Sequence, residues 1–315
     1  MTPSELPLRQ RIGQYLTHLA LTAIVRLALA LPYGWRVPLT GWLVSRVVAP
    51  LAGWPRRIRS NLGQVWPDLA PAEVARLTRA VPDNAGRTLI EIYSGPAFKD
   101  RLRAITPEGP GWEALKAAKA EGRPIFLISG HFGNYDAIRA RVAMEYGQVG
   151  GLYRPLNNVY FNRHYVKAIA QTSEPVFPRG RRGLAEMMKF TRAGNIMAML
   201  TDQHFHHGAA LRFFGHTAYT ALSVPEMALK LNAVVIPCYG IRQKDGLSFR
   251  LVFEDPVPHS TPEQMGQHLN DSLEARVRDN PGQWLWIHRR WKEIAGREEA
   301  ADLSADLSPD VDAEA

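Results

Sequence analysis

The stretch Pro124-Ile125-Phe126-Leu127-Ile128-Ser129-Gly130-His131-Phe132-Gly133-Asn134-Tyr135-Asp136 decides how the rest of the chain reads. Its first half is a short apolar run bounded by turn residues, which predicts a buried strand. The segment 137–146 then reads as a helix. His131 and Asp136 therefore lie where a strand hands over to a helix, the edge at which open α/β sheets bind ligands. An imidazole takes a proton from a hydroxyl near neutral pH, and a carboxylate holds the ring and stabilises its charged form. Gly130 and Gly133 permit close backbone approach and offer N–H groups to an anion. The spacing alone is common, and a histidine satisfied at a strand end is the bland alternative.

Working outward, strand and helix patterns alternate. Strands are expected at 149–153, 175–177, 196–200 and 234–239, and helices at 159–170, 183–192, 224–231 and 264–277. Leu247, Phe249, Leu251 and Phe253 alternate as an antiparallel or edge strand does. Upstream, the chain turns helical from Glu73, is broken at Gly95-Pro96, and resumes as a helix over 112–121. The expected fold class is α/β, a mostly parallel sheet flanked by helices and wound right-handed.

With 46% apolar residues in 315, the chain builds one large domain or two small ones and is not of disordered composition. The single cysteine, Cys238, excludes an internal disulfide and sits in an apolar run, as a core residue does. The net charge of +8 is uneven. The last nineteen residues carry one basic and seven acidic side chains, which leaves a body of +14. Such a body attracts lipid headgroups, acidic proteins or nucleic acid, and the end reads as a flexible acidic tail.

The segment 12–31 is mostly apolar and, as a helix, about 30 Å long, a bilayer's hydrocarbon thickness. Arg26 interrupts it, at a cost that its nine large aliphatic side chains about offset. His18, Thr22 and Arg26 form one polar stripe, which favours a helix lying in the bilayer interface. A spanning helix and a helix buried against the domain are the alternatives. Trp35, Trp42 and Trp54 stand among Arg36, Arg46, Arg56, Arg57 and Arg59, a composition of bilayer interfaces and also of basic surfaces with packed aromatics. The expected organisation is an N-terminal membrane-associated helical section (1–60), an α/β domain (61–296) and an acidic tail (297–315).

Four further clusters could carry chemistry. Arg154, in Tyr153-Arg154-Pro155, should reach the same sheet edge as His131 and clamp a phosphate or carboxylate, or else form a surface ion pair. Arg179, Arg181 and Arg182 open a helix and suit an anion, or form an unliganded basic loop. Asp202, His204 and His206 have metal-ligand residue types, but a polar loop in which Asp202 supports the active site fits better. Trp284, Trp286 and Trp291 alternate with His288, Arg289, Arg290 and Lys292, as at a headgroup surface, a nucleic-acid stacking surface or a packed terminal segment. No G-x-S-x-G elbow, Walker A loop or G-x-G-x-x-G follows a strand, which disfavours hydrolase-serine and nucleotide chemistry.

Together these blocks resemble the lysophospholipid acyltransferase superfamily, and within it the lauroyl/myristoyl acyltransferases of lipid A biosynthesis. The resemblance rests on 130–136, Tyr153-Arg154-Pro155, Leu200-Thr201-Asp202-Gln203, Phe213-Phe214-Gly215 and 284–291, and covers roughly 50–293. It implies a glycerol-3-phosphate acyltransferase-like fold on the cytoplasmic face of the inner membrane. The implied reaction moves a fatty acyl chain from an acyl carrier protein or coenzyme A thioester to a hydroxyl of a phosphorylated lipid. No cofactor, metal or nucleic acid is implied. His131 becomes the general base and Asp136 its partner. Gly133, Asn134, Arg154, Arg179, Arg182 and Asp202 become substrate-binding positions, with backbone N–H groups near Gly133 and the Arg154 guanidinium receiving the oxyanion. The motif's acid is often Glu preceded by Trp in the family, and here it is Asp136 preceded by Tyr135. A lysophospholipid or aminolipid acceptor is the alternative within this chemistry. A non-catalytic membrane or nucleic-acid binding protein is the alternative outside it.

Overall fold

The computed structural model describes residues 6–292, so the expected acidic tail lies outside the described residues. Helices come first: α1 (Leu8–Ala30), α2 (Tyr33–Leu43), a π-helical turn (Val44–Val48), α3 (Ala49–Leu51), α4 (Trp54–Val65), α5 (Pro71–Tyr93), α6 (Pro96–Arg103) and α7 (Pro110–Ala120). Then β1 (Ile125–Ser129), α8 (Tyr135–Tyr146), β2 (Val149–Tyr153), α9 (Val159–Thr172), β3 (Val176–Pro178), α10 (Arg181–Arg192) and β4 (Ile196–Leu200) alternate. A hairpin follows, β5 (Ala209–Phe213) and β6 (His216–Thr220). The chain continues through α11 (Ser223–Leu231), β7 (Val234–Arg242), β8 (Phe249–Phe253) and α12 (Pro262–Asp279).

Among the described residues the main sheet has the order β3-β2-β4-β1-β7-β8, parallel except for the antiparallel edge strand β8. Period-two alternation splits its side chains between two layers. Ile125 and Leu127 of β1 join a core with Ile138, Ala140 and Val142 of α8. Phe126 and Ile128 point to the other layer, against Met187, Val224, Met265 and Leu269. A central strand buried on both faces reads as an unbroken apolar run, which is why β1 was legible. The β5–β6 hairpin was not expected. Its turn is Phe214-Gly215, both at positive φ, and a phenylalanine there gives no turn signal.

The polar stripe of α1 lies differently from the expectation. Thr22 is buried, and the His18 ring stacks on Tyr160 of α9 with centroids 6.4 Å apart. Gln14 accepts from Asn158 Nδ2 (2.7 Å) and Val159 N (3.0 Å). His18 and Thr22 thus face protein, and Ile12, Leu16, Leu19, Ile24 and Leu27 are exposed. Arg26 stays exposed. Among the described residues α1 is the one helix long and apolar enough to cross a membrane. Beyond it Trp35, Leu39, Trp42, Val47, Val48 and Leu51 extend the exposed apolar surface.

Candidate active site

Strand register assembles the site. Ser129 of β1 pairs with Leu200 of β4. His131 and Asp202, each two residues further on, therefore emerge side by side at the sheet's C-terminal edge. The His131 ring Nδ1 lies 2.8 Å from Asp202 Oδ1. The His131 backbone N–H donates to Asp202 Oδ2 (2.8 Å), as does Trp284 Nε1–H (2.9 Å). Asp202 is fully buried, whereas the His131 side chain keeps 21% of its surface exposed. In the neutral ring Nδ1 therefore carries the proton toward the carboxylate and Nε2 the lone pair. Burial pushes the Asp202 pKa up, but the His131 ring and its N–H groups outweigh it and hold the carboxyl well below the usual range.

Asp136, expected as the ring's partner, is turned elsewhere. Its Oδ1 accepts from Arg139 Nε at 2.9 Å, one helical turn along α8. Arg139 also donates to the Ser173 and Ile169 carbonyls at 3.1 and 2.6 Å. The first turn of α8 carries Asp136 away from the β1–β4 edge, so Asp202, 71 residues downstream, reaches the ring instead.

The loop between them is fixed from beneath. Asn134 caps α8, accepting from Asp136 N and Ala137 N, both at 3.1 Å. Its amide donates to buried Glu91 (2.7 Å), which pairs with Arg242 through both carboxylate oxygens at 2.7 Å. Asn84 and Thr88 donate to the Gly133 carbonyl at 3.0 and 2.9 Å. Gly133 has φ +56°, and a Cβ there would collide with the Gly240 carbonyl. Gly133 and Asn134 are therefore buried and held by hydrogen bonds to α5 and β7. The loop's N–H groups are also committed: Phe132 to Gly130 O, Gly133 to Gln283 O, Asn134 to Gly240 O. The expected oxyanion donors near Gly133 are thus occupied.

Beside His131 opens a cavity of about 390 Å³. Its sheet side is Leu127, Ser129, Gly151, Ala198 and Leu200, and its helix side Ile138, Arg139, Tyr165 and Ile169. Arg154 stands exposed at the rim. Arg179 and Arg182 are exposed outside the lining, and Arg182 pairs with Glu186 at 2.9 Å. Tyr135 lines the cavity, its ring 5.5 Å from that of His131. Burial drives the Tyr135 pKa well up, so the phenol keeps its proton. Cys238 lines the cavity too, and burial pushes its thiol up, which leaves it a poor nucleophile.

His288 is the residue that sequence reasoning missed. Its ring meets His131 edge-on at 4.8 Å. Ring nitrogens of both histidines and an Asp202 oxygen all lie within 4.8 Å of one another. Both Asp202 oxygens already accept N–H donors from His131 and Trp284, whereas His288 joins the cluster through ring contact with His131. His204 and His206, the expected ligand types, are not in it. The tryptophan-rich segment that brings His288 here is packed rather than a headgroup surface, with Trp284, Trp286 and Arg290 fully buried. The signal available was the position of His288 inside that block.

Burial lowers the His288 pKa to about 4, with His131 and Arg290 adding to it and Asp202 opposing. The unfolded chain takes up that proton near pH 6.5, the folded one only near 4. Stability is therefore complete above about pH 6.5 and falls on the order of 3 kcal/mol as pH drops to 4. Melting temperature measured against pH should show this limb in the native protein and lose it in His288→Phe.

Residues 7–293 match the family model described as bacterial lipid A biosynthesis acyltransferase. The lipid A biosynthesis lauroyltransferase of Escherichia coli K12 is 22% identical over 241 residues, covering 75% of this chain and 78% of that protein. The palmitoleoyltransferase of the same organism is 23% identical over 272 residues, 83% and 86% of the two chains. With the match running through both the helical N-terminus and the sheet that carries His131, the chain belongs to the bacterial lipid A biosynthesis acyltransferase family and is an acyltransferase.

Proposed function

We propose that the protein moves a fatty acyl chain from an acyl thioester, on acyl carrier protein or coenzyme A, to a hydroxyl of a phosphorylated lipid A precursor. His131 is the general base. Its Nε2 takes the hydroxyl proton as the oxygen attacks the thioester carbonyl, and Asp202 stabilises the imidazolium. The tetrahedral oxyanion takes hydrogen bonds from the Tyr135 hydroxyl and the Arg154 guanidinium. The C–S bond then breaks, and the thiolate recovers the proton from His131. No acyl-enzyme forms. The neutral, buried Cys238 is consistent with that.

One observation carries this reading: an imidazole held on Nδ1 by a buried carboxylate stands at the mouth of a cavity lined mainly by apolar side chains. The mouth supports a membrane-borne acceptor. Leu156 and Asn157 at its rim precede Asn158, which is bonded to Gln14 of α1. In this reading α1 is immersed in lipid at the inner membrane with the active site on the cytoplasmic side, and the basic body attracts both acidic partners. Purified protein incubated with acyl thioesters and lipid A precursor should add one acyl mass to the precursor by mass spectrometry. Acylation of a lysophospholipid or aminolipid with the precursor untouched would overturn the acceptor assignment.

A further inference from the structure

Two neighbouring positions on the sheet face of the cavity carry almost no side chain. Gly151 of β2 and Ala198 of β4 are partners in register, and both line it. At the same level stand Leu127, the β1 partner of Ala198, and Val176, the β3 partner of Gly151. A larger side chain at 198 would narrow the cavity between Leu127 and Gly151.

Opposite Gly151 and Ala198 lies Arg139. It is pinned by Asp136 (2.9 Å), the Ser173 carbonyl (3.1 Å) and the Ile169 carbonyl (2.6 Å). A Cβ on Gly151 would lie 2.7 Å from Arg139 Nη1, so the guanidinium occupies the space next to that glycine. A guanidinium–carboxylate pair is a boundary that an alkyl terminus gains nothing by reaching, because it offers charge where the chain needs apolar contact.

We propose that this frame, Gly151 and Ala198 on the sheet against the Asp136–Arg139 pair on α8, sets the length of alkyl chain the enzyme accepts. Asp136 is then a positioning residue, acting on the substrate through Arg139. The inference rests on the reading of this cavity as the acyl site. A hydrophobic pocket discriminates one methylene by about 10–200-fold, so a few carbon atoms of lost space are readily measured.

The test uses the full chain in detergent with even-numbered acyl thioesters from octanoyl to stearoyl and lipid A precursor. A parallel arm needs no turnover: the rise in melting temperature caused by the matching free fatty acids. Ala198→Leu should move the preferred chain to a shorter one in both arms, with the longest native substrate losing at least ~10-fold in rate. Ala198→Val should move it less, and it replaces the leucine variant if that one does not fold. In the binding arm, Asp136→Asn should broaden the range of lengths bound. An unchanged order of chain lengths in the Ala198 variants, or an equal loss at every length in Asp136→Asn, overturns the proposal. Native protein that binds the ladder with a clear length order but transfers none of it overturns the acyl-transfer reading alone.

Discussion

His131→Ala should lower acyl transfer by at least ~10²–10⁴, the range that a positioned general base contributes. The loss should appear in kcat, because only 21% of the side chain's surface is exposed and its removal takes away few substrate contacts. The fold should survive. The polar supports of the 130–134 loop are backbone groups, Thr88, the Glu91–Arg242–Asn84 set and Asp202; only Asp202 also bonds the imidazole, and it keeps the His131 backbone N–H and Trp284 as donors. Single-turnover transfer with a matched melting temperature separates this outcome from unfolding. A variant turning over at the native rate would remove His131 from the mechanism.

Asp202→Asn is the second large effect, about 10³–10⁴ in kcat with little change in KM. The carboxylate accepts from the ring, from the His131 backbone and from Trp284. An amide keeps the shape but can offer Nδ1 an N–H, which favours the tautomer with its proton on Nε2, where the base needs a lone pair. It also removes the charge that stabilises the imidazolium. The loss should persist at alkaline pH, because a wrong tautomer is not repaired by deprotonation. A pH–rate profile of the variant that merely shifts and regains the native plateau would contradict this account.

Much of the sheet was legible because β1, β4 and β7 are buried on both faces and read as apolar runs between turn residues. The place of His131 just past a strand end was legible because glycines frame it. Its partner was not. Asp136 is near His131 in sequence, whereas Asp202 becomes its neighbour only once β4 lies beside β1 with Leu200 opposite Ser129, and strand order is not written in local periodicity. The same limit hid His288. Phe132 bridges to Trp284, and Leu285 N–H donates to the His131 carbonyl, contacts that draw a segment over 150 residues away against the site. For α1, periodicity does not say whether water or α9 receives His18, and Arg26 on the same stripe stays exposed.

The most direct test of the central claim is the state of the two His131 ring nitrogens, read by NMR of isotope-labelled histidine at neutral pH. The expected result is a hydrogen-bonded proton on Nδ1 and a bare Nε2, a pattern lost in Asp202→Asn. A proton resting on Nε2 in the native protein, or an Nδ1 proton that survives Asp202→Asn and disappears in Asp136→Asn, would contradict it.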